Sequence, residues 1–534
     1  MRVIARAASL VVMAALALCG TAAHARGAQI VAEKPLDGGG VELTIETSAF
    51  AAPTRVEVFL PDGYDADPKR RWPVTYYLHG AQGDQARFAA WFGDLIGEHP
   101  SIVVAPDGGQ FGFYSDWHNG GAGGPPMYET YFIDQLIPLI DARFRTTADR
   151  AGRALIGESM GGYGVMSYAA RHPDLFAAAA SLSGLLDSED PAAIALISGA
   201  PATQGGAPEA IYGSRVTEEV RWRGHNPTDL ADNLRDVDLQ VRTAEGAPNP
   251  VVDGADPSSA VGCATENVVF RASTDFHERL LTLGVPHLWH NYGAGCHSIP
   301  MFRRELTDSL PGLESAFANP RPAPRTFSYR SIEPSFDVWD WRIDADPERP
   351  LEFLQLSDAN RRGLTLTGSG TTRVSTPPFY RGLKAVDVVG SGTPETLAPD
   401  RRGRLRFTMD LGPPNGTQQY TPGAITTETS VTTSFEPHPI LRISRARATP
   451  RRLHVCARAL GGPITTRMRV VDAEDRVAIR RAESTVRSKT ACRALRWTRR
   501  PSGTKGTLVV NGEDRFGHAV RSRRTVRLPS PGRG

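Results

Sequence analysis

The sequence predicts an α/β unit on a mostly parallel sheet, followed by all-β accessory domains. Three observations predict it. Short apolar runs at residues 74–78, 101–105 and 154–156 alternate with helical segments, and each is closed by Gly, Asp or Pro. Runs apolar on both faces suit parallel strands covered by helices on each side. Gly157-Glu158-Ser159-Met160-Gly161 links such a run to a helical segment through a sharp turn. Beyond about residue 320 the helical periodicity fades, Thr, Val, Arg and Gly dominate, and Gly-Ser-Gly and Pro-Pro turns recur, as in β structure.

Taken in order, residues 1–25 have the form of an export signal. Arg2 and Arg6 precede an apolar run at 7–18 too short to span a bilayer, and Ala23-His24-Ala25 forms the cleavage site. Leu18 before Cys19 lacks the small side chain of a lipoprotein signal, so simple secretion, or residence in the cell envelope, is expected. The α/β unit then runs over 26–320. Within it, Phe132, Leu136, Leu139, Ile140 and Phe144 mark a helix over 131–145, which Pro138 is expected to kink. The Pro-rich run 319–324 is expected to be a stiff linker. A β-rich domain at 321–436 and a basic, β-sandwich-like domain at 437–534 follow, with the Thr-rich stretch 421–436 separating them.

Four cysteines follow the signal, and their positions favour Cys263–Cys296 and Cys456–Cys492 disulfides, as suits an exported chain. No C-x-x-C or H-E-x-x-H spacing exists, so no metal or other cofactor is expected.

The 534 residues carry a net charge of only +3, which excludes a strongly basic nucleic-acid binder or a strongly acidic protein. That sum hides a division. Residues 441–534 hold 24 Lys+Arg against 6 Asp+Glu, a net of +18, and the rest holds 37 against 52, a net of −15. The terminal domain is expected either to meet a cell-wall glycan, an anionic wall polymer or a membrane surface, or to present a simple solvated Arg-rich surface; no nucleic acid is expected.

The chemistry centres on Ser159. In a strand–turn–helix context, G-x-S-x-G exposes a nucleophilic serine at the N-terminus of a helix, whose partial positive charge faces the reacting carbonyl. A serine needs a base and the base an orienting acid, in the chain order Ser, Asp/Glu, His. His172 ends the elbow helix and is misplaced. His287 and His290 flank or occupy a strand at 288–292 and are assigned structural roles. His297, in the loop Tyr292-Gly293-Ala294-Gly295-Cys296-His297-Ser298, is the candidate base. Asp253, Asp256 and Glu266 remain open as the acid. A Cys263–Cys296 bridge would bring the Glu266 and His297 segments together.

At this point a resemblance enters. The segments Gly108–Trp117, Gly157–Gly161 and Leu182-Ser183-Gly184-Leu185-Leu186-Asp187 resemble those of the secreted mycolyltransferases of mycobacteria and the wider esterase-D-type carboxylesterases, with weaker likeness at Asn226-Pro227, Glu266 and His297-Ser298. The resemblance implies an α/β-hydrolase fold over about 40–318. It implies Ser159 as nucleophile, His297 as base and Glu266 as acid, with the backbone N–H groups of Ala81 and Met160 as oxyanion donors. It also implies substrate-binding positions at His79, Asp116, Trp117 and Ser298. The chain departs from the mycolyltransferases at His79-Gly80, Gln82 and Ile299, where they carry Asp-Gly, Arg and Trp. Those changes weaken trehalose mycolylation but leave acyl-serine chemistry intact.

The expected function is a secreted serine carboxylesterase acting on acyl esters. The alternatives are an acyltransferase delivering the acyl group to a sugar or lipid hydroxyl, a carbohydrate esterase, or a non-catalytic wall-binding protein. Only a degraded elbow or a missing His297 would favour the last. Residues 186–262 are expected to cap the cleft, with Tyr212 and Trp222 as candidate lining.

Overall fold

The structure, a computed structural model, describes residues 27–36, 39–95, 99–253, 259–390, 395–438, 440–460, 464–472, 476–486, 490–499, 501, 503–513 and 519–528. The leader, including Cys19, and Asp256 lie outside these residues.

Nine strands form one sheet: β1 Ala28–Leu36, β2 Gly40–Thr47, β3 Thr54–Phe59, β4 Val74–Leu78, β5 Ile102–Pro106, β6 Arg153–Glu158, β7 Ala178–Leu182, β8 Asp238–Thr243 and β9 His287–Asn291. Their order is β1-β2-β3-β5-β4-β6-β7-β8-β9. β1 to β3 pair antiparallel, β3 meets β5 antiparallel, and every pair from β5 to β9 is parallel. With helices on both faces this is the α/β-hydrolase fold. All residues of β4, β5, β6 and β7 are buried, which is why they read in the sequence as short, mostly apolar runs, although β6 also buries Arg153 and Glu158 at its ends.

Four helices matter to the site: α1 Met160–Arg171, α2 Pro191–Gly199, α3 Ser259–Leu283 and α4 Ile299–Ala318. α1 is buried on every side, so it shows no amphipathic stripe. The helix expected at 131–145 starts earlier, at Tyr128, and passes through a π-helical turn, Tyr131–Leu136, before Ile137–Arg143. Pro138 falls in the first turn of that last segment, where its missing N–H is tolerated, rather than kinking a helix from within.

Beyond the α/β unit, a six-stranded and a four-stranded sheet share a core that includes Trp341, Ile343, Leu356, Leu366 and Phe435. Part of the stretch expected to separate two modules is a strand, Thr429–Pro437, paired with Gly363–Gly368 on one side and Val386–Val389 on the other. Its threonines misled because they serve the outer face: Thr432 and Ser430 hydrogen-bond Thr365 and Thr367 across the pair, each at 2.8 Å. The described residues from Ile440 to Arg527 form a three-stranded and a four-stranded sheet around Leu453, Val455, Val470, Leu508 and Val510.

Both expected disulfides are present, Cys263–Cys296 and Cys456–Cys492. The Pro-rich segment is not a free spacer. Arg150 Nη1 donates to the Arg321 carbonyl at 2.8 Å, and just beyond it Asn233 exchanges two hydrogen bonds of 2.9 Å with the Arg330 backbone. The first β module therefore docks directly on the α/β unit.

Candidate active site

β6 ends at Glu158 and α1 begins at Met160, leaving Ser159 at the corner with φ 57° and ψ −120°. That sparsely populated backbone holds the side chain out of the turn. The corner closes only because its neighbours lack side chains. A Cβ on Gly161 would lie 1.8 Å from the Leu78 carbonyl oxygen, and one on Gly157 2.4 Å from the same atom. Gly161→Ala is expected to cost at least about 1–3 kcal/mol of stability, measured by thermal unfolding, because it overpacks against backbone that cannot yield.

Ser159 lies on an apolar cavity of about 160 Å³ whose walls include Ala81, Phe113, Met160, Leu185, Leu196 and Val268. The loop after β4 borders it and is tied down atom by atom. Tyr114 OH donates to the His79 carbonyl at 2.8 Å, and Gly80 N donates to Glu158 Oε1 at 2.6 Å. Arg87 Nη1 donates to the carbonyls of Gly80 and Ala81 at 3.2 Å each, and Gln82 N donates to the Gln110 carbonyl at 2.6 Å. The N–H groups of Ala81 and Met160 donate to no described residue. Two unclaimed donors beside a serine can receive a developing oxyanion.

His297 follows β9, in a loop joined through Cys296 to Cys263 of α3. Its Nδ1 bonds Glu266 Oε2 at 2.7 Å, and no described residue bonds its Nε2. Glu266 is fully buried, yet its other oxygen accepts from Ser183 Oγ at 2.6 Å, Thr243 Oγ1 at 3.0 Å and Ala244 N at 2.9 Å. Four donors compensate the buried carboxylate. Asp253 takes a different part. Its Oδ1 accepts from Cys296 N at 3.1 Å and Ser298 Oγ at 2.9 Å, so it fastens the loop rather than the imidazole.

A second cavity, of about 860 Å³, opens on the other side of the same loop. It is lined by Gln82, Gln110, Gln204, Asp84, Arg55 and Trp91, among others. Trp91 on its wall stacks on Phe302, and Phe302 meets the His297 ring edge-on, so two ring contacts separate this polar cavity from the histidine. Residues 192–204 roof both cavities: Ala192 and Leu196 line the apolar one, Thr203 and Gln204 the polar one.

A family model named Esterase ("Putative esterase") matches residues 47–313, half of the chain. The chain belongs to this family. It is 34% identical over 279 residues to Esterase Rv1288 of Mycobacterium tuberculosis, covering 51% of this chain and 59% of that protein. It therefore spans about three-fifths of that relative's length. It is 28% identical over 223 residues to the diacylglycerol acyltransferase/mycolyltransferase Ag85B of Mycolicibacterium smegmatis, covering 40% of this chain and 66% of that protein. Among solved structures, Mycobacterium tuberculosis MPT51 is similar with a TM-score of 0.42 and 22% identity, over 54% of this chain and 99% of that one.

In this family member the four positions expected to bind substrate are held by internal contacts. His79 is 1% exposed; its Nδ1–H donates to the Gly80 carbonyl and its Nε2 accepts from Gly108 N, each at 2.8 Å. Both nitrogens are used, so it braces the loop. Asp116 accepts from the Thr130 N–H at 3.1 Å and faces a separate cavity with Glu129 and Arg171. Trp117 Nε1 donates to the Gly112 carbonyl at 3.2 Å, and neither residue lines a cavity with Ser159. Ser298 caps α4 through Met301 N. Tyr212 and Trp222 are buried structural aromatics: Tyr212 OH bonds Tyr163 OH at 2.7 Å, and Trp222 Nε1 donates to the Gly213 carbonyl at 3.0 Å. His287 bonds His277 at 2.7 Å, away from Ser159.

Sequence reasoning missed the support behind Glu266. Ser183 Oγ lies 2.6 Å from Glu266 Oε1 and 2.9 Å from Glu305 Oε1. One hydroxyl proton cannot serve two carboxylates, so Glu305 must carry a proton and donate to Ser183. Its burial, with the Glu266 charge adding to it, pushes the Glu305 carboxyl well above the usual range. The available signal was a lone Glu in the buried stripe Met301, Phe302, Glu305, Leu306 and Ser309. Glu305→Gln, still a neutral donor, is expected to keep most activity. Glu305→Ala leaves Ser183 without that partner and is expected to lose about 1–3 kcal/mol in urea unfolding.

Proposed function

We propose that the protein is a serine carboxylesterase in which Ser159, His297 and Glu266 act as nucleophile, base and orienting acid. The observation that carries this is the 2.7 Å Glu266–His297 bond, which leaves Nε2 unclaimed in a chain whose elbow serine lies beside two unclaimed N–H groups. Ser159 Oγ attacks the ester carbonyl while His297 Nε2 takes its proton. The oxyanion is held by the N–H groups of Ala81 and Met160. His297 then returns the proton to the leaving alcohol, and the acyl group stays on Ser159. Water, deprotonated by the same nitrogen, attacks the acyl-serine and releases the acid.

The cavities support a division of the substrate. The apolar cavity, about 160 Å³, suits a short acyl group. The leaving alcohol receives its proton from His297, and the polar cavity, reached from that histidine through Phe302 and Trp91, is assigned to it. That same cavity favours a second reading, acyl transfer to a polar hydroxyl in place of water. Two disulfides suit an oxidising compartment, and export through residues 1–25 to the cell exterior or envelope is part of the proposal.

The test is a series of p-nitrophenyl esters of increasing chain length, with and without glycerol or trehalose. Short esters are expected to turn over fastest, with free acid as the main product. Acylated acceptor in excess of acid would establish the transferase instead, and activity only on long chains would contradict the cavity argument.

A further inference from the structure

The triad leaves the terminal β module without a role. Its three-stranded sheet, Ile440–Ala448, Arg452–Leu460 and Ala491–Arg496, turns Leu453, Val455 and Leu495 to the core. The opposite face is cationic. Strand pairing sets Arg442 directly opposite Arg458 and Arg452 directly opposite Arg496, with Arg445 opposite Cys456 and Arg447 opposite His454. All six arginines are exposed, and their side chains make no hydrogen bond or ion pair with any described residue. Residues 440–460 and 490–499 contain no Asp or Glu at all.

Like charges directly opposite on a sheet are destabilising, and no described residue pairs with these arginines to relieve them. A bound anion would. Outward side chains repeat every ~6.6 Å along a strand and ~4.8 Å between strands, interrupted once where the register shifts between Ile443 and Arg445. It has no anchor for a bilayer: no large hydrophobic side chain is exposed among the described residues from 440 to 528, whereas membrane-docking surfaces pair cations with inserting apolar groups. The Cys456–Cys492 disulfide lies on this face and fits a location outside the reducing cytoplasm.

We propose that this face binds a linear extracellular polyanion, a polymer with repeating phosphate or carboxylate groups, and so holds the α/β unit beside surfaces that carry it. The attraction is electrostatic and accompanied by counter-ion release, so it falls steeply with salt.

The experiment measures binding of the full chain to inorganic polyphosphate, to poly-L-glutamate and to phosphatidylglycerol vesicles, over a range of NaCl. The two polymers distinguish phosphate from carboxylate. At least one polymer is expected to bind more tightly than the vesicles. The variant Arg442→Ser/Arg452→Ser/Arg458→Ser/Arg496→Ser is expected to bind at least ~10-fold more weakly, with the salt slope reduced by about one per contacting arginine. It is also expected to unfold at the same or a higher temperature, since opposed charges are gone. Arg361→Ser/Arg362→Ser, at an exposed turn elsewhere, is expected to bind as wild type. Failure of both polymers to bind, tighter binding to vesicles, or undiminished polymer binding by the fourfold variant would overturn the proposal.

Discussion

Ser159→Ala is expected to lower kcat/KM on a short acyl ester by about 10⁵–10⁶-fold, or roughly 7–8 kcal/mol of transition-state stabilisation. The size of the loss follows from what would remain. The N–H groups of Ala81 and Met160 and the apolar cavity would still bind the ester, but no group would be left to form the acyl intermediate. Fold should be spared, because the Ser159 side chain makes no hydrogen bond on which the elbow depends. His297→Ala is expected to fall to a similar floor, and the double variant to fall little further, because the two act as a unit. Hydrolysis of p-nitrophenyl butyrate by the purified single and double variants checks this. Additive losses, or a Ser159→Ala enzyme as fast as wild type, would exclude the proposed mechanism.

Arg171→Ala is expected to destabilise the protein by about 3–5 kcal/mol, because it strands charges that the guanidinium compensates. Arg171 ends α1 with its side chain 8% exposed. Its Nε donates to Glu129 Oε1 at 2.7 Å, its Nη1 to the Gly224 carbonyl at 2.7 Å, and its Nη2 to Glu333 Oε1 at 2.8 Å. Its carbonyl accepts from Tyr329 OH at 2.6 Å. Glu333 and Tyr329 belong to the first β module, so one arginine ties that module to the helix that follows Ser159.

The pH dependence has a definite sign. Burial alone would raise the Glu129 carboxyl, but Arg171 and His172 overcome it and hold the group well below its ordinary 4.5. The pair's stabilisation is therefore present above pH 4.5 and lost as pH falls through the lower folded-state value. Without Arg171, burial dominates and the folded state prefers a protonated Glu129. The deficit of Arg171→Ala relative to wild type should thus shrink between pH 7 and pH 4 in urea unfolding. A deficit that is constant or grows toward pH 4 would mean that Arg171 contributes packing rather than charge.

Much of the fold was legible because it rests on local patterns. β4 and β6 are apolar on both faces and are bounded by turn residues, so they stand out as strands. The elbow is recognisable because only glycine fits against the Leu78 carbonyl. The two disulfides follow from four cysteines that divide into two well-separated pairs in the sequence. Non-local relations were hidden. That His79 braces a loop, and that Glu305 and Ser183 stand behind Glu266, depends on distances across the sheet that no spacing encodes. The strand Thr429–Pro437 was obscured because its polar face serves neighbouring threonines rather than solvent alone. The basic terminal segment was visible as composition, but strand register was needed to gather its arginines on one face.

The central claim is that Ser159 becomes covalently acylated. The most direct measurement is reaction with a p-nitrophenyl phosphonate ester, followed by intact-protein mass and peptide mapping. The phosphorus replaces the acyl carbon, Ser159 Oγ displaces p-nitrophenolate, and the tetrahedral adduct remains. One equivalent is expected, on the peptide containing Ser159, lost in Ser159→Ala and slowed in His297→Ala. Labelling at another residue, or no labelling of a protein that still hydrolyses p-nitrophenyl butyrate, would contradict the account.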